Sequence, residues 1–373
     1  MCADGWKLLR HRSVPRGVGV AVRHSAVHPR FPLPAIIFAL VLDAADQTIF
    51  QRYTNLNLDG YQNYDKALDI FYLTIAFLAV YRNWTNTTAI NVARFLWYYR
   101  LVGVWLFEVL QERWLLFVFP NTFEYFFIAY VAIGTQWDPR RLTNRAVIGL
   151  AAFIWIVIKL PQKWWIHIAQ NDFTDFMKET VFGVDGTDSW GTAIGNRRAV
   201  TIALVVAIAL VSAAVVWGLR KAPQRDWSFR VDVDKPLPDL DIADRPQAPL
   251  WLAPPFAEKL LLVGLIAATY SSVLNVDAPM IRIIIGTSLI IAASVVVSAW
   301  LSRRGTAWSS IGLQWIVLAA VNSVLIGAYS ALLGSDINRS LVFFFGLLLT
   351  MIIVLYDRFL GERAERSANA TFS

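Results

Sequence analysis

Residues 199–218 read AVTIALVVAIALVSAAVVWG, twenty residues in a row without a charge. A helix that crosses a bilayer needs about 20 mostly apolar residues, so this stretch reads as one. Nine more runs of this kind frame it: 33–51, 67–82, 90–110, 114–134, 146–161, 257–275, 281–301, 311–334 and 340–356. The fold class that follows is all-α, a polytopic helical membrane protein with about ten transmembrane helices. Composition points the same way. Of the 373 residues, 57% are hydrophobic and 16% charged, against about 25% charged in a soluble globular chain. Mean hydropathy is +0.49. A soluble enzyme, a disordered chain and a nucleic-acid-binding domain are excluded as classes, and nucleic acid is not an expected partner.

Orientation follows from the Lys and Arg count. With the N-terminus inside, the segments 1–32, 82–94, 135–145, 219–255, 302–310 and 357–373 carry 22 of these residues, and the outer segments carry 8. The positive-inside bias therefore favours both termini in the cytoplasm of a multi-pass protein of the cell membrane. The net charge of +7 lies mostly in the tail 1–32, where Lys7, Arg10, Arg12, Arg16, Arg23 and Arg30 face a lone Asp4. Abutting an apolar run, this tail reads as a topology signal that touches anionic lipid head groups. It does not read as a cleavable leader, because the apolar run after it holds aspartates and no convincing small-residue cleavage site.

The chain divides in expectation into five parts. After the tail comes a six-helix membrane unit, 33–218, with a polar and aromatic core and an outer interfacial helix over 162–182. A Pro-rich cytoplasmic linker spans 219–256, and seven of the fifteen prolines fall within 219–255. A four-helix apolar unit, 257–356, and a second cytoplasmic tail, 357–373, complete the chain. An inverted five-plus-five repeat is allowed by this topology, but no residue pattern matches between spans one to five and spans six to ten. In the linker, Asp232-Val-Asp234 and Asp239-Leu-Asp241 have the form of metal-binding Asp pairs. They lack any strand or glycine-rich context, so they read as part of a solvated mixed-charge segment.

One cysteine, Cys2, leaves no disulfide framework, CxxC motif or thiolate metal site. Three of the four histidines, His11, His24 and His28, sit in the basic tail, and His167 lies beyond the fifth span. No bis-histidine haem, other cofactor or metal is expected.

The most informative pattern is depth. Asp43 lies beside the centre of the first span, Arg100 at the centre of the third and Glu124 at the centre of the fourth. Asp46 follows one turn beyond Asp43, with Gln47 on the face of Asp43. A lone charge at mid-membrane costs roughly 2.5–3.5 kcal/mol, so Arg100 is expected to face the bundle and pair with Glu124 or Asp43. One cation among several carboxylates leaves an acid over, which a proton or a cation must neutralise. Pro120 and Asn121, one turn before Glu124, are expected to break the fourth span and free carbonyls beside the charges.

The outer segment supplies a second, weaker constellation. Ala169, Phe173, Phe176, Met177 and Val181 form an apolar face, and His167, Asn171 and Asp175 lie opposite. His with Asp can act as general acid and base, although a turn of helix separates each member and a solvated polar face is the simpler reading. Lys159 is expected to snorkel outward. Gly183, Gly186, Gly191 and Gly195 with Asp185 and Asp188 read as a mobile loop. Asn322 and Gln314 read as interhelical hydrogen-bond formers. The sequons at Asn83, Asn86, Asn338 and Asn369 fall mostly on segments placed inside, and so read as chance.

Three functions remain. The first is transport of a small ion or polar solute, with or without proton coupling, through Asp43, Asp46, Gln47, Arg100 and Glu124. The second is a membrane-embedded transferase or hydrolase acting on a lipid-linked substrate at the outer face, with Asp43, Asp46, His167 and Asp175 as candidate catalytic groups. The third is a non-catalytic scaffold subunit, in which the buried charges only fix helix register.

Overall fold

The computed structural model describes residues 29–41, 61–169, 173–234, 255–273, 280–303, 311–333 and 339–371. The described residues are helices and connecting turns, with no strand among them. In chain order the helices are α1 (Pro32–Val41), α2 (Tyr61–Asn83), α3 (Thr87–Leu110), α4 (Trp114–Val118), α5 (Thr122–Gly134) and α6 (Asn144–Ile168). There follow α7 (173–182), α8 (Trp190–Asn196), α9 (Arg198–Arg220), α10 (Pro255–Val273), α11 (Met280–Arg303), α12 (Ile311–Leu333) and α13 (Arg339–Thr371).

Four helical stretches are long and apolar enough to cross a membrane: Trp114–Gly134, Asn144–Ile168, Arg198–Gly218 and Phe343–Ala364. Shorter apolar stretches occupy Pro32–Val41, Ile285–Val297 and Leu313–Leu325. With 23 and 24 residues, α2 and α3 have the length of a crossing helix at about 1.5 Å per residue but carry more polar side chains.

Local chemistry sets the boundaries. Asn86 caps α3 by accepting from the amide of Ala89, and its side-chain amide donates to the carbonyl of Leu142. The asparagine of one chance sequon is thus a buried N-cap. Gln111 ends α3 in the left-handed conformation. Thr143 caps α6.

The expected break in the fourth span is present. The chain leaves helix after Val118 and re-enters at Thr122, because Pro120 lacks a backbone donor and disfavours helix in the residue before it. The fifth expected span runs on. α6 continues through Trp164 and Trp165 to Ile168, with π-helical turns at Ile154–Lys159 and Trp164–Ile168. Residues 162–168 therefore belong to α6, and α7 is a separate piece rather than the end of one interfacial helix 162–182. It opens as α-helix at Phe173–Phe176 and closes as a π turn at Met177–Phe182.

The two expected membrane units share one core. Ala76, Phe77, Val80, Ala89, Ile90 and Phe123 are packed with Leu262, Val263, Ile266, Phe344 and Ile352. α10 and α13 lie against α2, and α10 also against α3. Aromatic rings fill the layer between them: Phe77 stacks on Trp97 and meets Tyr81, Tyr98 and Phe123 edge-on. In the second half, Asn322 donates to Thr350 and Ser294, joining α12 to α13 and α11.

Segments that the Lys and Arg count places on one side meet at one end of the bundle. Arg30 pairs with Asp232 at 2.8 Å, Arg82 with Asp234 at 2.7 Å and Arg141 with Asp226 at 2.6 Å. Arg363 donates to the carbonyl of Trp84, and the amides of Asp226 and Arg230 donate to the carbonyls of Gln136 and Thr135. The first part of the linker is thus a strap across the helix ends. Asp232 and Asp234 are occupied by arginines; Asp239 and Asp241 lie outside the described residues.

α9 is different. It packs chiefly on α8, and Ile202, Ile208 and Leu210 are each more than 60% exposed. A helix apolar all round and packed on little protein needs an apolar surrounding.

Candidate functional site

Two polar centres lie among the helices, and they are built on opposite principles. The first lies near the strapped end. Glu258, in the first turn of α10, is 1% exposed. Arg94 of α3 pairs with its Oε1 at 3.0 Å, and the hydroxyls of Tyr81 and Tyr98 donate to the same oxygen. Tyr356 of α13 donates to Oε2 at 3.4 Å. Beside it, Lys259 holds Asp357 at 2.7 Å. This is a closed cage, in which cation, carboxylate and three phenols satisfy one another across four helices.

The second centre surrounds the broken helix. Asn121 caps α5, its Oδ1 facing the amide of Glu124 and its side-chain amide donating to Glu124 Oε2 at 2.7 Å. Tyr72 of α2 donates to Oε1 at 3.2 Å. Glu124 stands in the first turn of α5, where the helix dipole favours a negative charge. The carbonyls freed by the break are also taken: Tyr99 donates to Val118 and Arg100 to Phe119, at 2.9 and 3.2 Å.

The expected pairing of Arg100 with Glu124 is not made: no ion pair joins them among the described residues, and the charge of Asp69 of α2, then that of Glu124, acts on Arg100. The guanidinium's hydrogen bond goes to Phe119 rather than to Glu124, whose two oxygens are held by neutral donors. Asp43, Asp46 and Gln47 lie outside the described residues.

Lys159 does not snorkel. It is 4% exposed, inside the bundle, with Nζ 3.4 Å from the centre of the Tyr125 ring. Lys163 follows four residues later, and the charges of Arg100, Asp69 and Glu124 act on it. The π turn Ile154–Lys159 explains the difference. A wider turn shifts the register of the residues that follow it, and a straight-helix count then misplaces their faces. Among the described residues neither lysine donates a hydrogen bond to any oxygen. The balance differs accordingly from the one read in the sequence: three cations, Arg100, Lys159 and Lys163, gather with two carboxylates, Asp69 and Glu124.

His167 stands on α6 one turn beyond Lys163 and forms no dyad with Asp175. It lies in the last turn of α6, and the positive charges acting on it are Lys163, Arg100 and Arg113. Its Nε2 is buried with no hydrogen-bond partner. Asp175 lies on α7 against the turn at Gly186, and His167 makes no hydrogen bond or ion pair with it. The loop after α7 is closed by its own bonds. Asp185 accepts from the amide and hydroxyl of Thr187, and Lys178 donates to the carbonyl of Gly186. The described residues hold no group of three His, Cys, Asp or Glu side chains placed to bind a metal ion.

Sequence reasoning missed Asp69, Tyr72 and the Glu258 cage. Asn121-Thr-Phe-Glu124 has the form of a capping box, a local signal that does point to Glu124 as an anchored acid.

The helices and this site define an α-helical bundle of membrane type with a charged centre. No protein-family model, curated protein or solved structure matches the chain.

Proposed function

We propose that the chain crosses the cell membrane ten times, with both termini in the cytoplasm, and carries a small ion or polar solute through the centre formed by α2, α3, α5 and α6. The segments strapped together by Arg30, Arg82 and Arg141 support a common side for them, and their Lys and Arg excess supports the inner one. The observation that carries the transport reading is the contrast between the two centres. A structural ion pair inside a bundle must satisfy its own hydrogen bonds, as Arg94 and Glu258 do. Around Arg100 the carboxylate is held by neutral donors, and the lysines keep their N–H groups unused. Charges gathered at such a cost and left unsatisfied fit a site that receives something. The broken helix fits too, since irregular backbone at membrane depth belongs beside a polar cavity.

The test is purification of the whole chain and reconstitution into liposomes. Transport currents are recorded on a supported membrane against a panel of small cations, anions and neutral polar solutes, with a pH-sensitive dye inside the vesicles to read proton coupling. A saturable current for one class supports the reading. Silence across the panel, from protein shown to be folded, overturns it.

A further inference from the structure

The balance of donors and acceptors in the second centre identifies what it is built to receive. Glu124 has both oxygens engaged, by Tyr72 and Asn121. Asp69 lies close enough for its charge to act on Arg100. The cations are in the reverse condition. Arg100 spends one N–H on the carbonyl of Phe119, and Lys159 and Lys163 spend none on any oxygen among the described residues. Lys159 is 4% exposed, so its ammonium has little water to turn to. A buried donor with no acceptor is among the costlier defects a fold can carry. Lys159 is in that condition, with only a ring face beneath it, and the half-buried Lys163 and Arg100 add N–H groups unused among the described residues.

The arrangement also has a direction. Lys163 and His167 follow Lys159 at four-residue intervals on α6, through one α turn and one π turn. Lys163, then Arg100, and Arg113 at the start of α4 are the positive charges that act on His167. Cations thus stand on α6 at Lys159 and Lys163, and beyond them the imidazole Nε2 of His167 has no partner. A cation moving along this line meets like charge at every step. An anion meets donors.

We infer that this centre binds a small oxyanion, a sulfate-, phosphate- or carboxylate-type group, held by Arg100, Lys159 and Lys163 and approached past His167. Arginine supplies a planar fork of donors matched to two oxygens, and the lysines supply point charges on either side. Asp69 and Glu124 offset part of the positive charge, so that the ligand is held without being trapped. The inference deepens the transport reading and rests on it for the role of the site, but not for the binding itself. The oxyanion has two sources, a free solute or a phospholipid head group entering from the bilayer.

Binding is measured on the whole chain in phosphatidylcholine nanodiscs, with radiolabelled sulfate and inorganic phosphate. A second arm adds phosphatidic acid and reads the retained lipid by native mass spectrometry. The expected result is saturable binding of at least one probe. Lys159→Met and Lys163→Gln each weaken it about tenfold or more, and Lys221→Gln at the far end of α9 leaves it unchanged. If Lys159→Met fails to fold, Lys163→Gln at its half-buried position carries the test, with competition between sulfate and phosphate on the unaltered protein. Retention of phosphatidic acid without sulfate or phosphate binding assigns the head group as the source. Absence of binding in both arms, or binding indifferent to the lysine substitutions, overturns the inference. Anion binding without any flux leaves the site standing and removes the transport reading. Flux of cations without anion binding does the opposite.

Discussion

The guanidinium of Arg100 donates to the carbonyl of Phe119 at 3.2 Å, so a charge on α3 holds the backbone that Pro120 leaves open between α4 and α5. Gly103 makes the contact geometrically possible. A Cβ at that position would fall inside the van der Waals envelope of the Phe119 side chain.

Gly103→Ala is therefore expected to push α3 away from the break. The cost is about 1–3 kcal/mol, as for other overpacked sites, and is read as a lowered midpoint of thermal unfolding in detergent. The same variant should weaken solute binding, because Arg100 moves with α3. An unchanged midpoint would show that the helices do not approach this closely.

The Glu258 cage predicts a different response. Arg94→Met or Glu258→Gln alone breaks up a buried pair, and Arg94→Met, which leaves the carboxylate without its cation, should cost about 3–5 kcal/mol. Replacing both by apolar residues should recover much of the loss. Chemical denaturation of the four proteins of this cycle reads the coupling directly, and additive losses would mean that the two residues do not act as a pair.

Particular residues show what the amino-acid sequence made legible. The apolar runs foretold the helices because a length of about 20 residues leaves little choice. Pro120 foretold the broken helix, since a missing donor acts locally. Arg100 and Glu124 were singled out by depth, but nothing in the spacing showed that the hydrogen bond of Arg100 goes to the carbonyl of Phe119. The Lys and Arg count grouped segments that Arg30, Arg82 and Arg141 do tie together. The Glu258 cage was not legible, because Arg94 is 164 residues away from Glu258 and no local spacing links them. The inward aim of Lys159 was hidden by a π turn, which alters the period on which helix faces are counted.

The strap formed by residues 226–234 rests on ion pairs between arginines that reach solvent and aspartates whose side chains are almost buried (Asp226, Asp232) or exposed (Asp234), each worth about 1 kcal/mol. Asp232→Asn should therefore leave the unfolding midpoint nearly unchanged. It should nonetheless raise amide exchange through residues 226–234, and high salt should do the same to the unaltered protein. A large fall in stability would contradict this picture of a lightly held strap.

The turn at 185–188 carries a pH prediction. The hydroxyl and then the amide of Thr187 hold the carboxyl of Asp185 below its ordinary value. A depressed carboxyl contributes order above its unfolded value, near 3.9, and that order is lost as pH falls through the lower, folded value. Amide exchange at Asp185 and Thr187, corrected for intrinsic rates, should thus be flat from neutral pH down to about 5 and rise in stronger acid. Asp185→Asn should remove the acid step; a step that survives it belongs to another group.

The account depends most on water and solute reaching a basic centre inside the bundle. Lys163→Cys, in a chain whose lone Cys2 is replaced by serine, places a thiol at that centre. Its reaction in liposomes with small, membrane-impermeant thiosulfonates of opposite charge tests the claim directly. The account predicts reaction from the outer face, several-fold faster with the anionic reagent than with the cationic one, and slowed by sulfate or phosphate. A thiol that stays inert to both reagents, or that prefers the cationic one, would contradict it.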